Sequence, residues 1–443
     1  MALVLGLVPA PGLHAKDLPL NAISDDSGLR ALAGGLWLDE GPAPAPGGRG
    51  IHVLPGGERV QVAVMSGVGE SRVILARASA AGQYSGWEQG SWEFTRAARE
   101  TAVRGEGLTS VRVFPRSDRY VFLRFTPFGR DRSQMDVLVY DAFLVAGLVL
   151  PVSLERLSLM PLRDIIALAG NDFPVRFFRI DPDDYLDQRR LVADIRRRLP
   201  DLAYAPDGAM DSEGNFVLIT SGLPQEEDGA GLSHSGFAKW VVDGMLRPVS
   251  GERLDIADLT VPFGGRGSSF TRPFEHTRDP FFGLDWIRNL ARNAWSALRS
   301  PEFATLTEFE VRRQPFSRLM LRNPAGAELR SFPGFIEDLG YGIEGLLPLL
   351  YVLAVEEPGR FFLAAVNADM HPPETEAYPR GGPRLRHFFH VAALIPYFDA
   401  QGAFRVAVFE NSGETSIDTF RTRYGPGHSV NLVRLPLERA FAP

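Results

Sequence analysis

Apolar and polar positions alternate with period two through most of residues 51–150. ERVQVAVM (58–65), RVILARA (72–78), SWEFTR (91–96), TSVRVF (109–114), RYVFLRF (119–125) and MDVLVYD (135–141) each carry the alternation, and turn residues separate them. Period two is the spacing that turns one face of a strand toward a core. Short strands at this interval predict a β-sandwich over residues 51–152. The continuous apolar run 143–152 reads as a buried strand. Residues 16–50 show no such period, end in GPAPAPGGRG (41–50), and read as a loop-rich segment.

After residue 152 the period lengthens. LERLSLMPLRDIIALAG (154–170), DDYLDQRRLVADIRRRL (183–199) and FFGLDWIRNLARNAWSAL (281–298) place apolar residues at helical spacing. IEGLLPLLYVLAV (343–355) is apolar throughout and predicts a buried helix. DSEGNFVLI (211–219) reads as a turn into a strand, and SRLMLRNPAGAELRSF (317–332) as a hairpin. RFFLAAVN (360–367), HFFHVAALIPYF (387–398) and FRVAVFE (404–410) are strands, with DAQG (399–402) turning the second into the third. Strands mixed with helices predict an α+β domain over residues 153–443.

Composition narrows the function classes. The formal net charge of −7 over 443 residues leaves no basic excess for phosphate, which argues against nucleic acid. The absence of cysteine excludes disulfides, thiolate metal sites and a cysteine nucleophile, and fits an oxidising compartment. The longest apolar runs, 143–152 and 343–355, fall short of the roughly 20 residues of a membrane-spanning helix. Residues 2–8 are apolar, and Leu13-His14-Ala15 before Lys16 resembles a signal-peptide cleavage site, so residues 1–15 are expected to be a signal-peptide remnant. Export to the periplasm or cell envelope is the expected localisation.

The chemistry concentrates in GLSHSGFAKWVVDG (231–244) and in the last two strands. Phe237, Trp240, Val241 and Met245 share one helical face, so residue 234 stands at a helix N-terminus, with Gly244 expected to close the helix. Free N–H groups and the dipole there favour negative charge, and a cysteine placed there would be stabilised as thiolate. His390 opens an alternating run, and Glu410 ends the next strand. Reflected about the turn at 399–402, the two pair about residue 400 and face each other. A histidine oriented by a carboxylate is two-thirds of a catalytic triad.

SHSGFAKWVV (233–242), HVAAL (390–394) and VAVFENSG (406–413) together resemble the motifs of the NlpC-type papain-like cysteine peptidases and amidases. That family opens a helix with Asp-Cys-Ser-Gly-Phe, begins a strand with His-Val-Gly or His-Val-Ala, and takes a polar third residue from the next strand. By position, His234 stands where the family has its nucleophile, His390 matches the catalytic histidine, and Glu410 matches the orienting residue. Ser233 replaces the family's aspartate, and the motifs lie 390 − 234 = 156 residues apart. The resemblance implies a papain-like α+β domain with an inserted subdomain at about 250–345. It also implies a catalytically degenerate cell-wall peptidase or amidase homologue that keeps a cleft for peptide or peptidoglycan fragments. The candidate binding residues are Ser233, Ser235, Trp240, His387 and Asn411, with Trp240 expected to be buried behind the cleft.

Two other readings stay open. One is an active hydrolase that uses a zinc or iron ion held by His234, His390 and Glu410, or a serine nucleophile at Ser233 or Ser235. Ser235, one residue inside the helix, is expected to point away from the site. The other is a non-enzymatic envelope protein whose β-rich domain carries the interaction. No cofactor is expected on the leading reading. Asp207, Asp211 and Glu213 suggest calcium by composition but lack its twelve-residue loop, and the arginines of 189–198 read as a solvated helix face.

Overall fold

The computed structural model describes residues 17–35, 50–67, 69–97, 107–226, 228–264, 274, 278–317, 334–376 and 378–443. The expected leader at 1–15, most of the Pro/Gly-rich stretch 41–50, His276 and the expected hairpin at 317–332 lie wholly or almost wholly outside the described residues. The chain divides into two compact units, with the main boundary after Asp181.

The first unit is built on eight strands: β1 (Ile51–Val53), β2 (Arg59–Gly67), β3 (Glu70–Arg77), β4 (Trp92–Ala97), β5 (Ser110–Val113), β6 (Val121–Pro127), β7 (Ser133–Val139) and β8 (Ala142–Leu150). The alternation has its expected consequence: β6 buries Val121, Leu123 and Phe125 and leaves Phe122 and Arg124 half-buried. The two-sheet sandwich does not form. The eight strands lie in sequential order in a single sheet, each antiparallel to its chain neighbour. A sandwich needs crossover connections between sheets, whereas here each strand pairs with the next along the chain. Tyr140-Asp141 makes the tightest of these connections, with φ of 48° and 68° where Val139 pairs with Ala142.

The expected loop at 16–50 is also corrected. Residues Ser27–Gly34 form a helix, α1, whose N-cap Asp26 accepts from Leu29 N at 3.0 Å. Local capping overrides the weak periodicity of that segment. The single helix expected over 154–170 is two, α2 (Leu154–Leu159) and α3 (Leu162–Ala169), because Pro161 cannot continue the first. Arg30 of α1 is buried, donates to the carbonyls of Ser158 (2.8 Å) and Leu159 (2.7 Å), and lies 4.5 Å over the Trp92 ring. These helices belong with the sheet, which moves the boundary from the expected 152 to 181.

The second unit has a short antiparallel pair, β9 (Gly208–Met210) and β10 (Phe216–Leu218), and centres on six antiparallel strands: β11 (Tyr341–Gly342), β12 (Arg360–Met370), β13 (Leu385–Phe398), β14 (Phe404–Glu410), β15 (Gly413–Ser416) and β16 (Ser429–Pro436). Their order in the sheet is β11-β16-β12-β13-β14-β15, so the last strand inserts beside the first long one. Residues 361–368 of β12 are buried in succession, so both faces of this strand are covered. The helices packed on β13 are α4 (Leu186–Arg198), α5 (His234–Ser250), α7 (Phe282–Leu298) and α9 (Leu346–Glu356). Short helices α6 (Ile256–Thr260) and α8 (Leu306–Phe309) flank α7, and α10 (Ile417–Tyr424) follows β15. The architecture is α+β, as the mixed pattern predicts.

Two further expectations change. The described part of 250–345 is not a separate inserted subdomain: α7 packs on β12, β13 and β16, and Val311 N donates to Leu432 O at 2.9 Å. Helix α5 does not end at Gly244 but runs to Ser250, with Gly251 as its left-handed cap (φ 80°). Gly244 serves packing instead, since a Cβ there would collide with the Phe441 ring.

Candidate functional site

Ser233 caps α5, its hydroxyl accepting from Gly236 N at 3.1 Å. His234 is therefore the first helical residue, beside N–H groups that have no intrahelical acceptor. The Ser-Gly-Phe run has its own reason: a Cβ at Gly236 would strike the Gly208 carbonyl of β9 (Gly208–Met210). Strand β13 carries His390 next to an irregularity. His390 pairs with Val366 and Phe388 with Asn367, so Phe389 is the extra residue. Bulges re-aim neighbouring side chains. The β13–β14 register pairs Ala393 with Phe409 and Phe398 with Phe404, a sum of 802 rather than the expected 800. Glu410 thus lies diagonal to His390 rather than opposite it. An offset of two residues keeps the same face, and the His390 Nε2 to Glu410 Oε2 distance is 2.6 Å.

The three expected triad positions come together. The His234 and His390 ring centroids are 4.9 Å apart. Burial, then the neighbouring His390, then Arg278 push His234 down to a pKa of about 3, so its imidazole is neutral through the physiological range. Burial alone would raise the Glu410 carboxyl; hydrogen bonds and charge from His390 and Arg423 outweigh it and hold that carboxyl below its ordinary value. Glu410 Oε1 accepts from Arg423 Nη1 at 2.5 Å, so both oxygens are engaged. The Tyr424 ring lies 5.7 Å from His390, its hydroxyl pushed up to about 12 by burial and then Glu410.

The expected binding residues divide. Ser233 is buried and occupied as a cap. Ser235 is fully buried, yet its hydroxyl does not point away: Oγ is 3.1 Å from His234 Nδ1. Trp240 is buried behind the site as expected, between Phe237 (5.5 Å) and Phe441 (5.4 Å), and so contacts the core rather than a ligand. His387 lies at the site's edge, its ring 4.7 Å from Phe274 and its Nδ1 without a hydrogen-bond partner. Asn411 is exposed and shapes a turn: Asn411 and Ser412 take φ of 50° and 58° between β14 and β15. The Ser412 hydroxyl donates to Ala203 O at 3.0 Å, tying the Glu410 end of β14 to the chain that leads into α5.

Sequence reasoning missed Arg423, Tyr424 and Arg278. The first two end α10, whose Ser416 cap (Thr419 N to Oγ, 3.0 Å) is readable as a helix start. The calcium reading is replaced by a turn, in which Asp211 Oδ1 accepts from the N–H groups of Glu213, Gly214 and Asn215. The arginine run is a paired helix face: Arg196 meets Glu414, Arg197 meets Asp194 and Arg190 meets Asp187.

Among the described residues no group of three or more histidines or carboxylates is arranged to hold a metal ion, and no helix is long and apolar enough to cross a membrane. Residues 19–177, less than half of the chain, match the model of a domain of unknown function (DUF8515). That match starts before the first strand and ends near the boundary at 181, so it follows the first unit. No curated protein and no solved structure matches the chain.

Proposed function

We infer that the second unit is a catalytically degenerate, papain-like site of the NlpC type, which holds peptide or peptidoglycan fragments beside His234 without cutting them. One observation carries this reading: the first residue of α5 lies 4.9 Å by ring centroid from a histidine that a buried carboxylate orients at 2.6 Å. That is the arrangement of nucleophile position, base and orienting group in thiol hydrolases, with an imidazole in place of the thiol. Imidazole is a poor substitute, because an acyl-imidazole lies well above an amide in energy, so forming it from a peptide bond is uphill. An exported protein of the cell envelope fits this ligand class.

The Ser235–His234 contact favours a serine hydrolase as the second reading. Two facts weigh against it. Ser235 is fully buried, and a histidine whose pKa is about 3 is too weak a base to take a hydroxyl proton near neutral pH. A metal at His234, His390 and Glu410 would have to displace either Arg423 or His390 from a Glu410 oxygen.

The test restores what is missing. His234→Cys introduces the sole thiol of the chain. It is expected to be alkylated by iodoacetamide at pH 6–7 faster than a free-thiol standard, and adding His390→Ala should slow it. A thiol that titrates near its ordinary value of about 8.5 would overturn the triad geometry. Separately, peptidoglycan incubated with the wild-type protein is expected to yield no fragments by mass spectrometry. Fragments that disappear with His390→Ala would mean the site is catalytically alive.

A further inference from the structure

The chain just before α7 crosses from one half of the site to the other. The Trp286 indole N–H donates to Ser235 O at 2.9 Å, which fixes the first turns of α7 and α5 together. On the other side Phe388 N donates to Pro280 O at 2.8 Å, and the Phe281 ring lies 5.7 Å from Phe388. Arg278 sits within this bridge, its guanidinium 4.3 Å over the Phe282 ring. Its Nη2 is buried without a hydrogen-bond partner, and no carboxylate of the described residues lies within ion-pair distance. The nearby Asp207 does not close the gap: its Oδ2 is taken by the Thr220 hydroxyl at 2.5 Å, and its Oδ1 has no partner. Burial, and then Arg278 among nearby charges, push His387 below its ordinary value, and Arg278 acts in the same sense on His234.

Arg278 as a whole is half-buried, but a buried guanidinium nitrogen left without an acceptor is costly. Here the position of the guanidinium is set by an aromatic face, and its Nη2 is left open on the segment that ties the start of α5 to β13. Guanidinium forks match carboxylates in two parallel hydrogen bonds. We propose that Arg278 is the carboxylate-recognising residue of the cleft at His234, and that the ligand is a peptide presenting a free carboxylate there. This rests on the cleft reading above and specifies what the cleft selects. Asp207 is near enough to act on Arg278 by charge and disfavours a second negative charge, so one carboxylate is the expected complement. Phe282 holds the guanidinium in place before the ligand arrives, so little ordering is left for the bound state.

The experiment uses the full chain and two probes: a peptidoglycan stem peptide with free carboxylates, and the same peptide with every carboxylate converted to the amide. Calorimetric titration is expected to show the wild type binding the free acid at least about tenfold more tightly, the scale of a charge-assisted hydrogen bond. Arg278→Gln should bind the two peptides alike, with the His390 ring signal in NMR spectra of the free protein unchanged. If Arg278→Gln does not fold, Arg278→Lys takes its place. The preference then shrinks but keeps its sign, and an undiminished preference counts against the assignment. A wild type that binds both peptides equally, or an Arg278→Gln variant that discriminates as the wild type does, overturns the role of Arg278 and leaves the cleft reading standing. No binding of either peptide by the wild type overturns both.

Discussion

Asp136 in the meander of the first unit and the groups around His234 in the second are buried polar clusters that are satisfied to different degrees. In the meander, Asp136 is fully buried and satisfied: it accepts from Arg124 (2.8 Å), Gln134 (3.2 Å) and Gly147 N (2.8 Å). Its donors lie 2 to 12 residues away, on β6, β7 and β8. In the second unit, Lys239 and Asp243 form an equally closed pair at 2.6 Å inside α5. One turn earlier the same helix presents His234, around which Arg278 and His387 keep unpartnered nitrogens. Histidines follow the same division. Among the described residues the meander unit holds His52, while the second unit holds His234, His371, His387, His390 and His428. Closed polar groups maintain a fold, and open ones in a buried setting mark a place where a ligand is expected to supply the partner.

The largest expected effect tests the closed side of this contrast. Asp136→Ala leaves Arg124 and Gly147 N without their acceptor and is expected to cost about 3–5 kcal/mol, read as a lower urea midpoint for the first unit. A loss under about 1 kcal/mol would mean that the buried carboxylate is not structural. On the open side the expected effect is smaller and depends on pH. His234 titrates at about 3 in the folded chain, against an ordinary value near 6.5. Its folded value is depressed, so the unfolded chain binds the extra proton between these values, and stability falls as pH drops through that window. Above pH 6.5 His234 contributes no such loss. Between pH 6.5 and pH 5 the loss is about 1.5 kcal/mol, and His234→Gln should remove it from a series of urea melts. Glu410 does not confuse this reading, because its lowered value keeps it ionised over that range. Equal slopes in the two proteins would sink the claim that His234 is held neutral. The smallest expected effect is on the cap: Ser233→Ala should lower stability by about 1 kcal/mol without changing the His390–Glu410 contact, checked by the His390 ring signal.

Much of this was legible before any coordinates. The strands of the meander lie within a few residues of the alternating runs, because a half-exposed sheet face imposes period two on its sequence. Helices α4, α5 and α7 likewise announce themselves by apolar spacing, and α9 by a continuous apolar run. The single sheet in place of a sandwich was not legible, since alternation says which face is buried and nothing about which strand pairs with which. The break at Pro161 was available to a closer reading of proline. The site divides in the same way. His234, His390 and Glu410 could be named because a cap, a strand start and a hairpin are local signals. Arg423 and Arg278 could not, since their relevance is a matter of contact between distant segments: Arg278 is 112 residues from His390 (390 − 278).

By itself the sequence determined the period of most elements, the helix start at Ser233-His234, the parity that sets His390 and Glu410 on one face, and the exclusion of thiol chemistry. Tertiary structure decided the order β11-β16-β12-β13-β14-β15, the two-residue offset between His390 and Glu410, and the meeting of α5 with β13 that sets two imidazoles 4.9 Å apart. The physical reason is range. Backbone sterics, capping and burial period act over a few residues and are written in each stretch of chain. Strand partners, desolvation and the field at a buried imidazole depend on segments that only the folded core brings together.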